Sequence, residues 1–336
     1  KQTMYPIQLH TKDEIALLTA VREGEEKLGQ VIQTVSRFED ALVHPARFAV
    51  LGIPEDIGPR ANKGKPGAHT AYADFLQSFV NIQHNGSLAS TDVLLLGRID
   101  VADLQEKSTR LNASVDADLK ELWSLVEAID KRVVAVVKPL IQAGKIPIVI
   151  GGGHNNAFPM LQAASQSGIQ PLGAVNIDPH SDLRPTLGRH SGNGFSHAFD
   201  AGYLQKYFTL GLHLNYNNRA ALNRFAEHPD ALAFLSQDEI IKHQISLTKQ
   251  VERALNHLKH CSIGLEVDLD AVPYAESSAK TPAGFDIQHL RGLVMLLASQ
   301  KKCVYFNISE GIHSDASLTG KMISYLVTDF IRNTPA

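Results

Sequence analysis

The sequence predicts an α/β fold with a mainly parallel β-sheet, and two observations support that prediction. Short, almost entirely apolar runs recur along the chain, as expected for strands that are covered on both faces. Longer amphipathic segments separate these runs, and such alternation of strands and helices is typical of parallel sheets. With 336 residues, of which 44% are hydrophobic and 20% charged, the chain can bury the core that such a fold requires.

Six apolar runs of five or six residues are predicted strands, because buried strands usually have this length. In chain order they are 48–53 (FAVLGI), 92–96 (DVLLL), 146–150 (IPIVI), 173–177 (GAVNI), 263–267 (IGLEV) and 302–306 (KCVYF). A further strand is expected around residues 207–213. Helices are expected at 13–36, 117–143, 156–166, 247–258, 286–300 and 318–332.

The chain shows no repeat, low-complexity tract or long linker. We therefore expect residues 41–336 to form a single domain, with residues 1–40 as a helical extension docked on it. The net charge of −3 gives no general attraction to nucleic acid or anionic membranes. No apolar run reaches the roughly 18 residues that span a bilayer, and the first residues lack a signal-peptide pattern, so we expect a cytoplasmic protein. Cys261 and Cys303 lack a CxxC partner and are expected to be buried thiols.

Ionisable side chains follow four of the predicted strands, at the end where parallel sheets bind their ligands. His154 follows three glycines after the strand at 146–150, and Glu310 follows the strand at 302–306. The other two strands are followed by the segments Asp178-Pro-His180-Ser-Asp182 and Asp268-Leu-Asp270. This repetition at successive strand ends indicates a functional site more strongly than any one motif does.

The segment 178–182 favours a metal site because its three ionisable residues alternate. At a period of two, Asp178, His180 and Asp182 share one face of an extended segment. Such closely packed groups need a partner if they are buried, and a cation provides one. The alternative is a polar turn with solvated carboxylates. Asp268 and Asp270 repeat the spacing, with capping or loop aspartates as their alternative.

Two further residues, His154 and Glu266, each have two possible interpretations. A single histidine such as His154 is often structural or exposed, but its place among the other strand ends favours a ligand. Glu266 precedes Asp268 at the same spacing, so that three acids share one face.

The combined set of four aspartates and two histidines contains no cysteine, which argues against structural zinc. Mixed carboxylate and imidazole ligation suits Mn²⁺, and six ligands suit two ions, which activate water for hydrolysis.

The motifs resemble those of the ureohydrolase, or arginase, family over roughly residues 48–330. The matching segments are 52–56 (GIPED), 62–68 (NKGKPGA), 151–154 (GGGH), 178–182 (DPHSD), 191–195 (SGNGF), 268–273 (DLDAVP) and 309–310 (SE). The D-x-D-x-x-P form most resembles the formimidoylglutamase branch. The spacing to Pro273 is the reason for preferring Asp268 and Asp270 to Glu266 as ligands.

The resemblance implies an arginase-like, three-layer αβα fold with a mainly parallel sheet of about eight strands, in which residues 41–336 form the catalytic domain. It implies two Mn²⁺ ions per subunit. The ligands of one ion would be His154, Asp178, Asp182 and Asp268. Those of the other would be His180, Asp178, Asp268 and Asp270, so that Asp178 and Asp268 bridge.

The same resemblance implies hydrolysis of a small amidine, N-formimidoyl-L-glutamate, to glutamate and formamide, a reaction of histidine degradation. Asp182 would orient the attacking hydroxide, and Glu310 would pair with the cationic amidinium. A homo-oligomer is expected, and neither nucleic acid nor a membrane is an expected partner.

The loop at 184–196 is expected to recognise the substrate. Arg184, Arg189 and Asn193 are predicted to bind its carboxylates, because an arginine can hold a carboxylate through two parallel hydrogen bonds. The alternative for each arginine is a solvated loop charge. Ser191 stands where arginases and agmatinases carry a proton-shuttling histidine, and His190 is a candidate to replace it. The alternative for His190 is an exposed loop histidine.

Some positions depart from the family pattern and leave the function open. Pro179 stands where alanine is common, Asn155 where Glu or Ser is usual, and Glu266 where Ser or Thr is common, and residues 311–313 (GIH) replace the usual segment after the glutamate. One alternative is an agmatinase- or arginase-like guanidino hydrolase that releases urea. Another is a metal-binding member of the family without turnover. A third is a deacetylase on the same general fold, which would need one zinc ion and fewer ligands.

Overall fold

The computed structural model describes residues 5–316 and 318–336, and in these ranges one sheet contains nine strands. The strands are β1 (Ile7–Leu9), β2 (Phe48–Gly52), β3 (Val93–Ile99), β4 (Ile146–Ile150), β5 (Leu172–Ile177), β6 (Lys206–Leu212), β7 (Leu232–Ser236), β8 (Ser262–Asp268) and β9 (Cys303–Ser309). Their spatial order is β1-β3-β2-β4-β9-β8-β5-β6-β7. The eight strands β2–β9 are mutually parallel, and β1 pairs antiparallel with β3. The predicted α/β fold with a mainly parallel sheet is confirmed.

Helices cover both faces of the sheet, which makes three layers. Along β2 the side chains of Phe48 and Val50 belong to one hydrophobic cluster, and those of Ala49 and Leu51 belong to another on the opposite face. Because both alternating sets are apolar and buried, the strand requires cover on each side. Within the described ranges, the helices are α1 (Lys12–Leu18), α2 (Leu28–Val31), α3 (Phe38–Val43), α4 (Ile57–Ala61), α5 (Ala71–Phe79), α6 (Ala102–Ser108), α7 (Asp116–Gln142), α8 (Ala157–Gln166), α9 (Gly194–Asp200), α10 (Arg219–Glu227), α11 (Gln237–His243), α12 (Leu247–His257), α13 (Ile287–Gln300) and α14 (Thr319–Asn333). The helix α14 packs on α5 and α13, and α7 packs on α8.

The N-terminal region differs from the sequence prediction. The helix expected at 13–36 is wrong, because α1 ends at Leu18 and only α2 follows within that range. The extension is also not purely helical, since Ile7 and Leu9 of β1 lie opposite Ile99 and Gly97 of β3. A three-residue strand carries too little periodicity to be seen in a sequence. The division into residues 1–40 and 41–336 stays a prediction, and residues 1–4 lie outside the described ranges.

Other details follow the sequence more closely. The strand expected around 207–213 is present as β6, whereas β7 was not predicted. Both cysteines are buried and free, as expected. No helix in the described ranges is both long and apolar enough to span a membrane. The expected homo-oligomer stays a prediction.

The sheet order brings the polar strand ends together. The strands β4, β9, β8 and β5 are direct neighbours in the centre of the sheet, although they are far apart in sequence. They run parallel, so their carboxyl ends lie at one edge. These are the four strands that are followed by the ionisable residues identified in the sequence.

Candidate metal centre

A tight glycine turn places His154 at the end of β4. Gly151 and Gly152 have φ values of +89° and +71°, a left-handed conformation that side chains rarely adopt. The buried carboxylate of Glu55 fixes this turn by accepting a hydrogen bond of 2.8 Å from the Gly153 amide. The His154 amide then donates to Oε1 of Glu310 at 2.6 Å, which ties the end of β4 to the end of β9.

Three carboxylates converge on one ring nitrogen of His154. Its Nδ1 lies 3.0 Å from Asp178 Oδ2, 2.9 Å from Asp182 Oδ2 and 3.3 Å from Asp268 Oδ2. An imidazole nitrogen carries at most one proton, so it can donate one hydrogen bond well but not three. A divalent cation between the nitrogen and the carboxylates would satisfy all four groups.

A second group of possible ligands lies beside the first. Nδ1 of His180 is 3.3 Å from Asp178 Oδ1 and 3.5 Å from Asp270 Oδ2. His180, Asp268 and Asp270 each offer one atom within 4.8 Å of the others, as do His154, Asp178, Asp182 and Asp268. Asp268 belongs to both groups, and the two oxygens of Asp178 face the two histidines. The arrangement therefore suits two adjacent cations that share these two carboxylates.

Backbone hydrogen bonds and backbone conformation orient several of these side chains. Asp178 Oδ1 accepts a hydrogen bond of 2.6 Å from the His180 amide, and Asp268 Oδ1 accepts one of 2.7 Å from the Asp270 amide. Asp182 and Glu310 have φ values of +50° and +69°. Left-handed backbone is uncommon for residues other than glycine, and such strain concentrates at functional sites.

The carboxylates and histidines shift one another's proton affinities. Burial and the charges of Asp270 and Asp178 raise the pKa of Asp268 well above its usual range. Burial alone would lower the pKa of His154, but its carboxylate neighbours outweigh burial and hold that pKa well above its ordinary value. Burial is outweighed in the same way at His180, where Asp178 raises the pKa to about 10. The side chains alone therefore retain protons that a divalent ion would displace.

The donor set fits divalent ions that bind both oxygen and imidazole nitrogen. Among the described residues, Asp182 Oδ2 and Glu310 Oε2 are buried oxygens that accept no hydrogen bond. Such an oxygen is costly to bury unless a cation or a ligand approaches it. Cysteine is absent from both groups, and carboxylate with imidazole suits Mn²⁺.

A cavity of about 160 Å³ opens onto this cluster. The side chains of Asp182, Asp270 and Glu310 line it, and so do Arg184 and Asn62. The absence of a side chain at Gly192 leaves room for this pair, since a Cβ there would lie 2.8 Å from both Arg184 Cδ and Asn62 Nδ2. Among the ion pairs of the described residues, none involves Arg184, which is exposed.

The structure does not bring Arg189 and Asn193 to the cavity. The guanidinium of Arg189 is buried and donates to both oxygens of Asp130, at 2.8 and 3.0 Å. It also donates to the Asn155 carbonyl at 2.8 Å. The side-chain Nδ2 of Asn193 donates to the backbone carbonyls of Pro185 and Gly188. Both residues bind their own loop and its surroundings, so their positions do not support the predicted contacts with substrate.

His190 likewise turns into the loop rather than into the cavity. Its Nδ1 accepts a hydrogen bond of 3.1 Å from the backbone amide of Gly192. Its Nε2 lies 3.1 Å from the side-chain Nδ2 of Asn193. Burial and the nearby Arg189 charge lower its pKa to about 3, so the ring is neutral at physiological pH. The cavity is lined by Ser191 instead. The placement of His190 therefore does not support the predicted role in proton transfer.

Residues that the sequence did not predict lie behind the candidate ligands and support them. Asn176 Nδ2 donates to Asp178 Oδ2 at 3.0 Å, and Tyr207 OH donates to the Ser181 carbonyl at 2.7 Å. Asn176 lies two residues before Asp178, so the strand period puts both on one face. That spacing was a usable signal, whereas the contribution of Tyr207 from β6 had none.

Comparisons with known proteins extend this geometry. The model of the arginase family matches residues 46–315. A formimidoylglutamase of Streptococcus pyogenes serotype M12 is 26% identical over 318 residues, which cover 88% of this chain and 90% of that protein. The structure of formimidoylglutamase from Bacillus subtilis is similar with a TM-score of 0.76 at 17% identity, covering 94% of this chain and 95% of its own. Formiminoglutamase of Trypanosoma cruzi, solved with Mn²⁺, gives a TM-score of 0.70 at 19% identity, covering 93% of this chain and all of its own.

Proposed function

Because the chain belongs to the arginase family, we propose that it is a hydrolase that cleaves the C–N bond of N-formimidoyl-L-glutamate to give L-glutamate and formamide. The relatives named formimidoylglutamase support this substrate. We propose histidine degradation as the setting and the cytoplasm as the location. The family membership itself agrees with the resemblance of the sequence motifs.

The observation that most supports this function is the convergence of three carboxylates on His154 Nδ1, beside a second group around His180. We propose that the two groups hold two Mn²⁺ ions, with Asp178 and Asp268 shared between them. Two such ions would supply a strongly nucleophilic hydroxide from water at neutral pH.

Asp182 and Glu310 have separate proposed roles around the reacting carbon. Asp182 Oδ2 lies beside His154 and accepts no hydrogen bond, so it can orient the attacking oxygen and hold its proton. Glu310 is anchored through Oε1 to the His154 amide, while its Oε2 has no hydrogen-bond donor. Burial and the Asp270 charge raise the pKa of Glu310 to about 8. A cationic amidinium beside Oε2 would stabilise the ionised carboxylate and be oriented by it.

Arg184 supports an acidic substrate. Its exposed guanidinium lines the cavity and has no carboxylate partner among the described ion pairs. A carboxylate of formimidoylglutamate can accept two parallel hydrogen bonds from it. Agmatine has no carboxylate, so this cation favours an amidino acid over agmatine.

The test is a screen of the Mn²⁺-reconstituted chain against formimidoylglutamate, arginine and agmatine, with formamide and urea measured separately. We expect formamide from the first substrate and two Mn²⁺ per chain. Release of urea from a guanidino compound, with no reaction of formimidoylglutamate, would favour the guanidino hydrolase. A single Zn²⁺ per active chain would contradict the two-ion mechanism.

A further inference from the structure

The two ring nitrogens of His154 face two different carboxylate environments. Nδ1 faces Asp178, Asp182 and Asp268, which form the candidate metal site. Nε2 lies on the opposite side of the ring and is 3.2 Å from Oε2 of Glu266. Glu266 belongs to neither group of possible metal ligands. Its carboxylate is therefore placed to act on the histidine and not on an ion.

Glu266 is held rigidly behind the histidine. Its carboxylate is fully buried in β8, and Oε1 accepts a hydrogen bond of 2.7 Å from Tyr305 OH. Oε2 accepts another of 2.7 Å from Asn307 Nδ2. Tyr305 and Asn307 lie in the neighbouring strand β9, two residues apart, and Asn307 is the register partner of Glu266. Sheet pairing thus places both donors on the face that carries Glu266.

Gly264, two residues before Glu266, leaves room for the ring of Tyr305. A Cβ at Gly264 would lie 2.2 Å from the Tyr305 ring, so only glycine at this position leaves space for the tyrosine. The phenol then reaches Glu266 from the same face of the sheet. The result is one packed unit beneath His154, which consists of Gly264, Glu266, Tyr305 and Asn307.

We propose that Glu266 is a positioning residue for His154, an inference that rests on the proposed metal site. The Nε2–H group donates to Glu266, which fixes the proton on that nitrogen and leaves the Nδ1 lone pair directed at the cation. A carboxylate behind a ligating histidine orients the ring and makes it a stronger donor. Tyr305 and Asn307 keep the carboxylate in position by donating to it.

The test is a calorimetric titration of the metal-free chain with Mn²⁺, compared between wild type and variants. In Glu266→Ala we expect one of the two ions to bind 10- to 100-fold more weakly, as is typical when such a support is removed. The other ion, which does not depend on His154, should keep its affinity within a few fold. Glu266→Gln preserves the size of the side chain and should show a smaller loss at the same site, which keeps the test valid if Glu266→Ala does not fold.

Asp329→Asn is the matched control. Asp329 is also a buried carboxylate, but it pairs with Arg291 at 2.7 Å and contacts neither group of possible ligands. It should lower thermal stability without changing either Mn²⁺ affinity. If both Glu266 variants bind the two ions with wild-type affinity, the inference is overturned.

The titration also separates this inference from the proposed reaction. A wild-type chain that binds two Mn²⁺ ions but hydrolyses no formimidoylglutamate would contradict the proposed substrate, while a selective loss in the Glu266 variants would still support the positioning role. A wild-type chain that binds no Mn²⁺ would overturn both.

Discussion

The residues at the strand ends and the residues of the cavity loop (residues 183–193) contribute to the same site in different ways. At the strand ends, Asp178, Asp268 and Glu310 point to one cluster, as the sequence predicts. In the cavity loop, Arg184 lines the cavity, whereas Arg189 is buried in an ion pair with the helix α7. At this site, position at the end of a strand thus determines the direction of a side chain more strongly than position in the cavity loop does.

The physical reason is that neighbouring parallel strands fix one another. Asp268 is in register with Ser309, directly before Glu310, so hydrogen bonds of the sheet define where both strand ends lie. A loop has no such frame, and its side chains follow tertiary partners. The partner of Arg189 is Asp130, which precedes it by 59 residues and gives no local signal.

The largest effect is expected for Asp178→Ala at a strand end. Asp178 is completely buried and its two oxygens face both histidines, so its loss should remove one of the two carboxylates shared by the proposed ions. We expect activity to fall at least a thousandfold, which corresponds to about 4 kcal/mol. Bound Mn²⁺ should fall in parallel, as measured by elemental analysis. Asp238→Ala, an exposed aspartate in α11, is the control and should keep both.

The next effect should appear in stability rather than in catalysis. Arg189→Ala leaves Asp130 buried without its partner, and burial already favours its protonated form by raising its pKa. Removing one partner of a buried ion pair costs about 3–5 kcal/mol of unfolding free energy. The measurement is urea unfolding of the metal-loaded chain.

A double variant tests the cause. Asp130→Leu combined with Arg189→Met should recover much of the lost stability, because no buried charge then remains unpaired. If Arg189→Ala instead unfolds like wild type and raises only KM, the original prediction of substrate binding by Arg189 would be restored.

The same contrast explains how far the sequence could be interpreted. Each of the six candidate ligands lies at or just after an apolar run, which is a signal that the sequence carries. The strand period and the sheet order then explain why their side chains converge. The strand β1 and the early end of α1 at Leu18 were missed, since short elements depend on packing more than on pattern. The role of Glu266 also escaped, because Tyr305 and Asn307 approach it from another strand.

Arg184→Ala tests the contribution of the cavity loop to substrate binding. Its guanidinium is exposed, so we expect stability to change by less than about 0.5 kcal/mol. If it binds a substrate carboxylate, KM for formimidoylglutamate should rise about 10- to 100-fold, because a hydrogen bond to a charged group contributes about 1.5–3 kcal/mol. An N-alkyl formamidine, which keeps the cationic amidinium but has no carboxylate, serves as the control substrate and should show no change. An equal rise in KM for both substrates would contradict carboxylate recognition.

The smallest effect concerns His190 and depends on pH. Burial and then Arg189 lower its pKa to about 3 in the folded chain, while the unfolded chain has a pKa near 6.5. The unfolded state therefore binds more protons below pH 6.5, so the stability that neutral His190 contributes is present above that pH and is lost as the pH falls towards 3. Between pH 7 and 5.5 this amounts to about 1 kcal/mol for one histidine. Replacing His190 by glutamine, which does not titrate, should remove that amount from the change in unfolding free energy between about pH 7 and 5.5, as measured by urea unfolding. An unchanged slope would show that the fold does not lower the pKa of the ring, and would return His190 to consideration as a proton carrier.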